Sequence, residues 1–599
     1  MTKQIKNVIL GVIVLCIALC LAGCGQTAVE KDSATALAAN QTSNETLFDR
    51  WMSLIMPQKV YQKSEQSSIA AVEDMSSLYT DDVTPLVLYL TVRKGSAGEG
   101  TNHTWNELHQ HDLSWYEEQD EDVFRCEALV QFGDEVGPVY GYYGYGDSSA
   151  NATIRLSGKR SSVRQQKSYR VDLDANGGNI SGMKAFVLQK SFTDPFRFTD
   201  KLAFDLIARC DTLLSTRTSF VHLYVRDLTA DQDTQFMDYG LYTMVEPINK
   251  RYLKNRNLDS SGELYKVVDF DFARHADVIM QPTDSGYSAA RFEEMLESKG
   301  SNDYSGLIAM LDALNDETIP IQDVVEAYFD KDSLYSWLAI NLLLDNKDTD
   351  TENFYLYRPM GDEHFYIIPW DFDGSLRRDY EKLRDPDYVP GWEQGIFLYT
   401  QSKLFGRMMR SEYCTNELSE TITVLHDDVF SGKVVQSRAE VLSEIVPQYL
   451  YDMPDMAYAR VTEANYEKLL KRIAEQVDEN FYTYYDTLET PWPFHILEPE
   501  QDGGHVVLRW EESQALNQEV TYAVELDDSW DFKDSILNET NYSGTSLDAG
   551  ILPPGEYFLR VTAKSESGHT QEAYEFYNTE KKSTVRGVLC FYVKEGDDG

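Results

Sequence analysis

The sequence predicts an α+β fold for the main part of the chain, followed by a smaller all-β domain. Three patterns support this: period-two alternation of apolar residues in the first half, helix-period apolar residues in the second half, and short alternating segments beyond a proline-rich boundary near the end. A chain of 599 residues is too long for one hydrophobic core. We therefore expect two or three domains.

The chain begins with a segment typical of targeting signals. Lys3 and Lys6 form a positive start, residues 8–21 are apolar, and small residues precede Cys24. This pattern resembles a bacterial lipoprotein signal, which predicts a signal peptide over residues 1–23 and lipidation of Cys24. A transmembrane anchor is the alternative, but the apolar run is short for one.

Lipidation of Cys24 would hold the protein at a lipid bilayer. Two or more acyl chains, each contributing about 0.8 kcal/mol per buried methylene, anchor a protein stably. Residues 24–50 are rich in Ala, Thr, Ser, Asn and Gln, a composition typical of a flexible tether. We therefore expect an extracytoplasmic protein on the outer face of the bacterial cytoplasmic membrane.

The net charge restricts the partners. A formal charge of −45 repels nucleic acid and anionic lipid surfaces, so we expect neither as a partner. It also repels ATP, so a nucleotide site would need its own lysine, arginine or metal charge. Four cysteines lie beyond the signal, at Cys126, Cys210, Cys414 and Cys590, and their wide spacing disfavours zinc. Disulfides and buried free thiols both remain open.

The first half of the folded chain is predicted to be rich in strands. A short amphipathic helix is expected at residues 201–210, within this otherwise β-rich region. Alternating apolar residues indicate strands at 86–92, 126–132, 152–156 and 168–173, and a hairpin formed by 221–225 and 239–245.

The second half is predicted to be helical. Asp332 can cap a helix whose apolar face carries Leu334, Trp337 and Leu338 and which ends in an acidic loop at residues 345–353. A β-hairpin and a second acidic loop follow, and helical patterns then dominate residues 402–487. A β-rich lobe is thus followed by a helix-rich lobe.

A boundary at Pro491-Trp492-Pro493 precedes a predicted small β-sandwich over residues 494–599. The segment ending in Tyr557 resembles the tyrosine corner of a fibronectin type III domain, and Trp510 fits the core tryptophan. We assign no chemistry to this domain. Its strands are expected at 506–510, 520–526, 557–563 and 588–593.

The two acidic loops carry the candidate chemistry. Asp348 and Asn353 are spaced as D-x-x-x-x-N, and Asp371 and Asp373 follow the hairpin. Phosphoryl transfer uses one Asp to accept the proton of the acceptor hydroxyl, and an amide and a second Asp to hold the metal. The spacing alone is a weak signal, but the helix, the hairpin and the second acidic loop strengthen it. A polar turn between a helix and a hairpin is the alternative.

Five segments share a pattern with a known protein family. They are Asp348 to Tyr357, Ile368 to Asp373 (I-P-W-D-F-D), Ile154 to Ser162 followed by Lys167 to Arg170, Tyr239 to Glu246, and Gly262 to Lys266. Together they resemble the spore coat protein H (CotH) kinase family. The resemblance covers residues 84–487 and predicts a family domain over 51–490. It implies an atypical protein-kinase-like, two-lobed fold that uses ATP and Mg²⁺ or Mn²⁺.

The resemblance assigns roles at the acidic loops. It implies that Asp348 is the catalytic base, that Asn353 and Asp371 are metal ligands, and that Asp373 is an alternative or second ligand. A purely structural role is a weaker explanation for Asp348 and Asp371 than for the other residues.

The same resemblance suggests nucleotide-binding residues. Lys167 or Lys266 would supply charge to the phosphates, and Glu246 would orient that lysine through an ion pair. An ion pair that only supports the fold explains these three residues equally well. Ser157 stands where the family often has Arg, and no G-x-G-x-x-G loop is present. The turn from Gly158 to Ser162 is therefore the candidate phosphate cover.

Together these features favour a membrane-anchored, extracytoplasmic atypical kinase that phosphorylates Ser or Thr of an envelope or secreted protein. The first alternative is a non-catalytic surface scaffold or adhesin on the same fold. A metal-dependent hydrolase that activates water at the acidic loops is the second.

Overall fold

The computed structural model describes residues 79–80, 82–230, 235–347, 349–386, 388, 390–502, 505–579 and 583–594. The predicted signal peptide, Cys24, the tether and Asp348 lie outside these residues. The described residues fall in a single structural unit. Within them, none of the helices combines the length and the apolar character needed to cross a bilayer.

The β-rich half forms a closed barrel. Its strands run in the order β1-β7-β8-β6-β5-β4-β2, and β2 pairs again with β1, while the short β3 extends β2. The β1–β7 pair is parallel and the other neighbours in the ring are antiparallel. The strands are β1 (Leu86–Arg93), β2 (Cys126–Asp134), β3 (Gly137–Pro138), β4 (Ala152–Ser157), β5 (Ser168–Leu173), β6 (Ala185–Gln189), β7 (Thr218–Asp227) and β8 (Met237–Val245).

Alternation of side chains explains why these strands close around a core. In β4, residues Ala152, Ile154 and Leu156 are buried while their neighbours are half exposed. Successive side chains of a strand point to opposite faces, so one face of each strand fills the barrel interior. This core includes Leu88, Val130 and Val171. The predicted strands and the 221–245 hairpin are confirmed.

The second half combines helices with a small sheet of order β10-β9-β11-β12. Its strands are β9 (Glu263–Val267), β10 (Leu296–Ser298), β11 (Phe354–Arg358) and β12 (Tyr366–Pro369).

The α-helices of both halves are numbered together along the described residues. They are α1 (Trp105–Leu108), α2 (Leu113–Gln119), α3 (Lys159–Ser162), α4 (Thr199–Ile207), α5 (Lys250–Asn255), α6 (Ala289–Glu293), α7 (Ser305–Asn315), α8 (Ile321–Tyr328), α9 (Lys331–Leu344), α10 (Arg378–Arg384), α11 (Lys403–Met409), α12 (Glu412–Asp427), α13 (Gly432–Ser443), α14 (Val446–Leu450), α15 (Glu463–Leu470) and α16 (Ile473–Glu489). Short 3₁₀ helices span Ala97–Glu99, Gly395–Tyr399 and Asp455–Tyr458. The predicted α+β class is confirmed.

Helix α9 is the centre of this half, and its start corrects one prediction. Asp330, not Asp332, is the N-cap, because its side chain accepts a hydrogen bond from the backbone nitrogen of Ser333 at 2.9 Å. Asp332 lies in the first turn, where a negative charge also favours the helix. The helix is buried along almost its whole length, including Trp337. It therefore fixes the position of the loop that follows.

The C-terminal residues form two sheets and a two-stranded ribbon. The Tyr557 hydroxyl donates to the Pro553 carbonyl at 2.9 Å, and Trp510 is buried against Tyr522. These contacts agree with the sequence pattern, and the fibronectin type III likeness stays a prediction. The strands are β13 (Ile496–Asp502), β14 (His505–Trp510), β15 (Val520–Asp527), β16 (Leu537–Tyr542), β17 (Ser546–Ile551), β18 (Gly555–Ser565), β19 (Thr570–Glu572), β20 (Phe576–Asn578), β21 (Thr584–Arg586) and β22 (Val588–Val593).

The four cysteines of the described region are free thiols. Cys126, Cys210 and Cys414 are buried, and Cys590 is partly buried. Burial raises the pKa of the Cys126 thiol to about 12, so this group stays protonated and unreactive at neutral pH. Of the two possibilities left open by the sequence, the structure has the free thiols.

Candidate functional site

The β11–β12 hairpin brings two of the predicted metal ligands to one end. Phe354 pairs with Pro369 in the antiparallel register, so Asn353 before β11 and Asp371 after β12 leave the hairpin at the same edge. Both residues have left-handed backbone conformations, with φ of 67° and 59°. Asn and Asp tolerate this conformation better than most residues, and it turns the chain sharply at both points.

The acidic loop after helix α9 meets the loop after the hairpin. Asn346 is buried, and its amide nitrogen donates to the backbone oxygen of Asp371 at 3.2 Å and to Asn341 Oδ1 at 3.1 Å. The backbone nitrogen of Leu376 also donates to the Leu344 oxygen at 2.8 Å. The two acidic loops are therefore adjacent.

Asp348 lies outside the described residues, and the described residues that flank it make defined contacts. Thr349 is buried, and its hydroxyl contacts the Asn346 backbone oxygen at 3.1 Å and the Tyr399 hydroxyl at 2.9 Å. Asp345 ends the helix in a left-handed conformation, and burial raises the pKa of its carboxyl group. The loop is thus held on both sides of position 348.

Asp200, at the start of helix α4, joins this site and was missed in the sequence. Its side chain is almost fully buried, and its two oxygens accept hydrogen bonds from the Phe372 backbone nitrogen and the Gln189 amide, each at 2.5 Å. Burial, followed by the negative charges of Asp371 and Asp373, holds the pKa of Asp200 well above its usual range. In the sequence Asp200 directly precedes the helix expected at residues 201–210, and no pattern marks it.

The carboxylates give the site an excess of negative charge. The negative charges of Asp371 and Asp373 both act on Asp200, so the three carboxyl groups lie close together. The Thr193 hydroxyl donates to Asp373 Oδ2 at 3.3 Å. The described residues contain no ready-made set of three His, Cys, Asp or Glu ligands for a metal ion. A Mg²⁺ ion that carries phosphates needs only one or two protein carboxylates, which Asp371 and Asp373 would supply here. Asn353, Asp371 and Asp373 therefore fit such an ion.

Lys167 and Lys266 lie in different parts of the fold. Lys167 precedes β5 in the barrel and donates to the Ser162 backbone oxygen at 2.5 Å, and burial lowers its pKa. Lys266 is on β9, opposite Tyr355, and contacts Glu297 at 3.5 Å. Neither contact involves Glu246.

The expected pairing of Glu246 with a lysine is wrong. Glu246 is buried, and its oxygens bind Arg217 at 2.7 and 2.8 Å and Arg256 at 2.9 Å. Burial opposes ionisation, but the two arginines outweigh it and lower the pKa of Glu246 to about 2. Arginine prevails because its planar fork can bind both oxygens of a carboxylate. Glu246 thus stabilises the end of the barrel.

The turn from Gly158 to Ser162 lies beside the acidic loop. The Arg160 guanidinium contacts Glu352 Oε1 at 3.2 Å, which joins the β4–β5 connection to the loop that contains Asn353. Gly158 has φ of 78°, and a Cβ atom there would lie 2.7 Å from the Ser161 hydroxyl. The turn therefore needs glycine at this position, and it is close enough to the loop to contribute to a shared site.

A buried Lys190–Asp455 pair was also missed. The ammonium group lies 2.6 Å from Asp455 Oδ1 and donates to the backbone oxygens of Tyr239 and Leu241. Burial lowers the pKa of Lys190 to about 8. Asp455 also accepts a hydrogen bond from the Leu241 nitrogen at 2.8 Å. Since Asp455 follows helix α14, this pair fastens the helical half to the barrel.

The fold and the site together define an α+β protein with a carboxylate-rich site at one end of a β-hairpin, next to a strand barrel. The family described as "CotH kinase protein" matches residues 154–481, which is more than half of the chain. The chain therefore belongs to the CotH kinase family.

Two individual proteins are similar to the chain. The inner spore coat protein H of Bacillus subtilis (strain 168) is 26% identical over 231 residues, which cover 38% of this chain and 59% of that protein. The chain thus spans about three fifths of the length of this curated relative. The crystal structure of the Helicobacter pylori proinflammatory kinase CtkA matches with a TM-score of 0.25 and 10% identity, covering 53% of this chain and 94% of that one. A score of this size does not establish a shared fold.

Proposed function

We propose that this protein is a metal-dependent protein kinase with a two-lobed, kinase-like fold. It would transfer the γ-phosphoryl group of ATP to a Ser or Thr hydroxyl of an envelope or secreted protein. The observation that carries the proposal is the contact of Asn346 with the Asp371 backbone, because it joins the loop of the proposed base to the loop of the proposed metal ligands. Membership of the CotH kinase family supports the same conclusion.

In this mechanism Asn353, Asp371 and Asp373 would hold a divalent cation, which would supply positive charge to offset the charge that develops on the transferred phosphoryl group. Asp348 orients the acceptor hydroxyl and takes its proton. The acceptor oxygen forms a bond to the γ-phosphorus while the bond from that phosphorus to the β–γ bridging oxygen breaks, and ADP leaves.

Asp200 has a positioning role in this proposal. It binds the backbone nitrogen of Phe372, the residue between Asp371 and Asp373, and so fixes the direction of both proposed ligands. Its own negative charge adds to the attraction for a cation when it ionises. Lys167 or Lys266 remains the candidate for binding the phosphates, although Glu246 orients neither of them, because Lys167 contacts Ser162 and Lys266 contacts Glu297.

The direct test is phosphoryl transfer by the purified protein. Labelled ATP with Mg²⁺ or Mn²⁺ should label the protein itself or a co-secreted partner, and Asp348→Ala should abolish the labelling. Equal labelling by Asp348→Ala would remove this residue from its proposed role. Release of free phosphate without labelled protein would instead favour a metal-dependent hydrolase.

We also propose that the protein acts outside the cytoplasmic membrane, held by a lipid on Cys24. The lipoprotein-like pattern that ends at Cys24 supports this location. Metabolic labelling with a palmitate analogue should modify the wild type and not Cys24→Ala. Labelling of both would contradict the proposed anchor and leave the kinase proposal untouched.

A non-catalytic surface scaffold is the second candidate. It is motivated by the proposed lipid anchor at Cys24 and by the difficulty of finding ATP outside the membrane. Nucleotide binding separates the candidates, because a ligand at one hundred times its Kd stabilises the folded state by about 2.7 kcal/mol. A thermal shift with ATP and Mg²⁺ supports the kinase, and no shift supports the scaffold.

A further inference from the structure

Three arginines gather around the ring of Phe192. The guanidinium carbons of Arg164, Arg197 and Arg460 lie 5.4, 5.5 and 4.1 Å from the ring centroid. These distances are within the range of about 6 Å for attraction between a cation and an aromatic ring. The three residues come from the β4–β5 connection, the β6–α4 connection and the segment before α15. We call them the Phe192 arginine patch.

The patch is unusual in a chain with 99 acidic and 54 basic residues. In the described part of the chain, none of the three guanidinium groups has a carboxylate within 4.0 Å. Their hydrogen bonds go to neutral oxygens: Arg197 binds the Tyr458 backbone at 3.2 Å, and Arg460 binds the Phe192 backbone at 3.2 Å. Arg164 and Arg460 are exposed to solvent. Asp455 and Asp194 offset part of the charge of Arg197, so the uncompensated positive charge of the patch lies at Arg164 and Arg460.

One member of the patch has an unused donor. Arg197 Nη1 is buried and has no hydrogen-bond partner in the described structure. Arg197 also has a left-handed backbone, with φ of 61°, and it lines a small cavity of about 10 Å³ next to Lys190. A buried donor without a partner is costly, and a left-handed arginine is uncommon. Both features cost stability, so they point to a role of the Arg197 guanidinium group in binding a ligand.

The patch borders the candidate site. Thr193 follows Phe192 directly, and its hydroxyl donates to Asp373 Oδ2 at 3.3 Å. A molecule held by the arginines would therefore lie next to a proposed metal ligand. The guanidinium fork matches the paired oxygens of carboxylates and phosphate esters.

We propose that the Phe192 arginine patch binds anionic side chains of the acceptor protein. The patch would direct transfer to a Ser or Thr that is flanked by acidic or already phosphorylated residues. This inference rests on the proposed kinase function and names its acceptor class. At long range the charge of −45 favours a basic acceptor, so recognition of an acidic segment depends on local cations, chiefly the exposed Arg164 and Arg460.

Binding without nucleotide tests the patch independently of catalysis. Fluorescent peptides of equal length, one Glu-rich, one with phosphoserine and one Lys-rich, are titrated against the full chain by anisotropy at low and high salt. The double variant Arg164→Glu/Arg460→Glu should weaken binding of the anionic peptides by about tenfold or more, and added salt should do the same to the wild type. The Glu-rich and phosphoserine peptides distinguish the two sources of negative charge.

The matched control is Arg251→Glu/Lys254→Glu, because Arg251 and Lys254 are exposed cations on helix α5. It changes the net charge by the same four units as the variant of the patch, so it should leave the affinity for the anionic peptides within about twofold of wild type. Equal losses in the control and the double variant would overturn the proposal, since they would reflect total charge alone. Tighter binding of the Lys-rich peptide, unchanged in the double variant, would overturn it as well.

Kinetics separate the acceptor from the nucleotide. With an anionic peptide as acceptor, the double variant should lower kcat/KM for the peptide by about tenfold and keep the KM for ATP. A loss of affinity for ATP and for inorganic tripolyphosphate, with unchanged peptide binding, would assign the patch to the nucleotide and overturn the proposal. If the wild type binds anionic peptides through the patch but transfers no phosphoryl group, the kinase function fails and the binding site stands.

Discussion

Two buried groups of carboxylates in this protein behave in opposite ways. Glu246 lies between Arg217 and Arg256, and its pKa falls to about 2. Asp200 lies beside Asp371 and Asp373, and its pKa rises well above the usual range. Both carboxyl groups are almost completely buried, so burial alone does not explain the difference.

The difference lies in the neighbouring charges. At Glu246, two guanidinium groups compensate the carboxylate, and the cluster is complete as it stands. At the hairpin end, the carboxylates lie close together and repel one another, so a bound cation would stabilise their charged forms. The first arrangement suits a structural joint between the barrel and the chain that follows it. The second suits a site that binds a charged ligand.

The largest effect is expected at the hairpin end. Asp371→Asn should lower the rate of phosphoryl transfer by about 10³-fold, roughly 4 kcal/mol in the barrier, because a proposed metal ligand loses its charge. Asn adopts the left-handed backbone of this position readily, so the melting temperature should not fall. Rates with labelled ATP and a thermal melt check both expectations.

Asp362→Asn is the control for this variant, since Asp362 lies in the loop at the other end of the same hairpin and binds His364. Transfer rates equal to wild type are expected. If Asp371→Asn keeps full activity, the contrast between the two carboxylate groups has no catalytic meaning.

At the other cluster the expected loss is one of stability. Glu246→Gln should lower the free energy of unfolding by about 3 kcal/mol, because two buried arginines lose their carboxylate. Urea unfolding at pH 7 measures this change. An unchanged unfolding midpoint would show that the ion-pair cluster contributes little.

The pH dependence of the same cluster has a definite sign. The folded pKa of Glu246, about 2, is below its ordinary value of 4.5. Its contribution is therefore fully present above pH 4.5 and is lost as the pH falls toward 2. The stability difference between the wild type and Glu246→Gln should shrink over that interval.

Asp200 should show the reverse sign with a smaller effect. Because its folded pKa is raised, the folded state binds the proton more strongly, and stability should decline as the pH rises above its ordinary value of 3.8. In buffer without divalent cations, Asp200→Asn should weaken this decline, and Mg²⁺ should weaken it in the wild type. A pH profile of urea midpoints that is identical in both proteins would contradict the crowding of the carboxylates.

The smallest effect tests whether the C-terminal strands are independent of the site. Tyr557→Phe removes the hydrogen bond to the Pro553 carbonyl and should cost about 1 kcal/mol. Hydrogen exchange in β18 should increase, while transfer rates stay at the wild-type level. A fall in activity would indicate that these strands support the site.

Local patterns predicted most of the strands and the main helices. The alternation in β1, β4 and β5 specifies strands because one face of each is buried. Such local patterns do not predict that the barrel closes, because closure depends on the pairing of β1 with β7, which are far apart in the chain. The cap of helix α9 was displaced by two residues because Asp330 and Asp332 are equally good caps in isolation.

The site was predictable where its residues fall in one stretch of chain. Asn353, Asp371 and Asp373 flank a single hairpin, so spacing and context marked them. Asp200 and the partners of Glu246 come from distant segments, and only the fold brings them together. The sequence motif also could not show that Glu246 pairs with arginines and not with a lysine, because Arg217 and Arg256 approach it only in the folded structure.

The parallel β1–β7 pair has a consequence for how the chain acquires its structure during synthesis. Leu86 pairs with Val221, so the ring cannot shut until the ribosome has produced the residues up to Asp227. At a synthesis rate of about 5–20 residues per second, several seconds pass between completion of β1 and completion of β7. During this time the edge of β1 that pairs with β7 has no partner. A molecular chaperone that covers nascent β1 would therefore have most to protect in that interval.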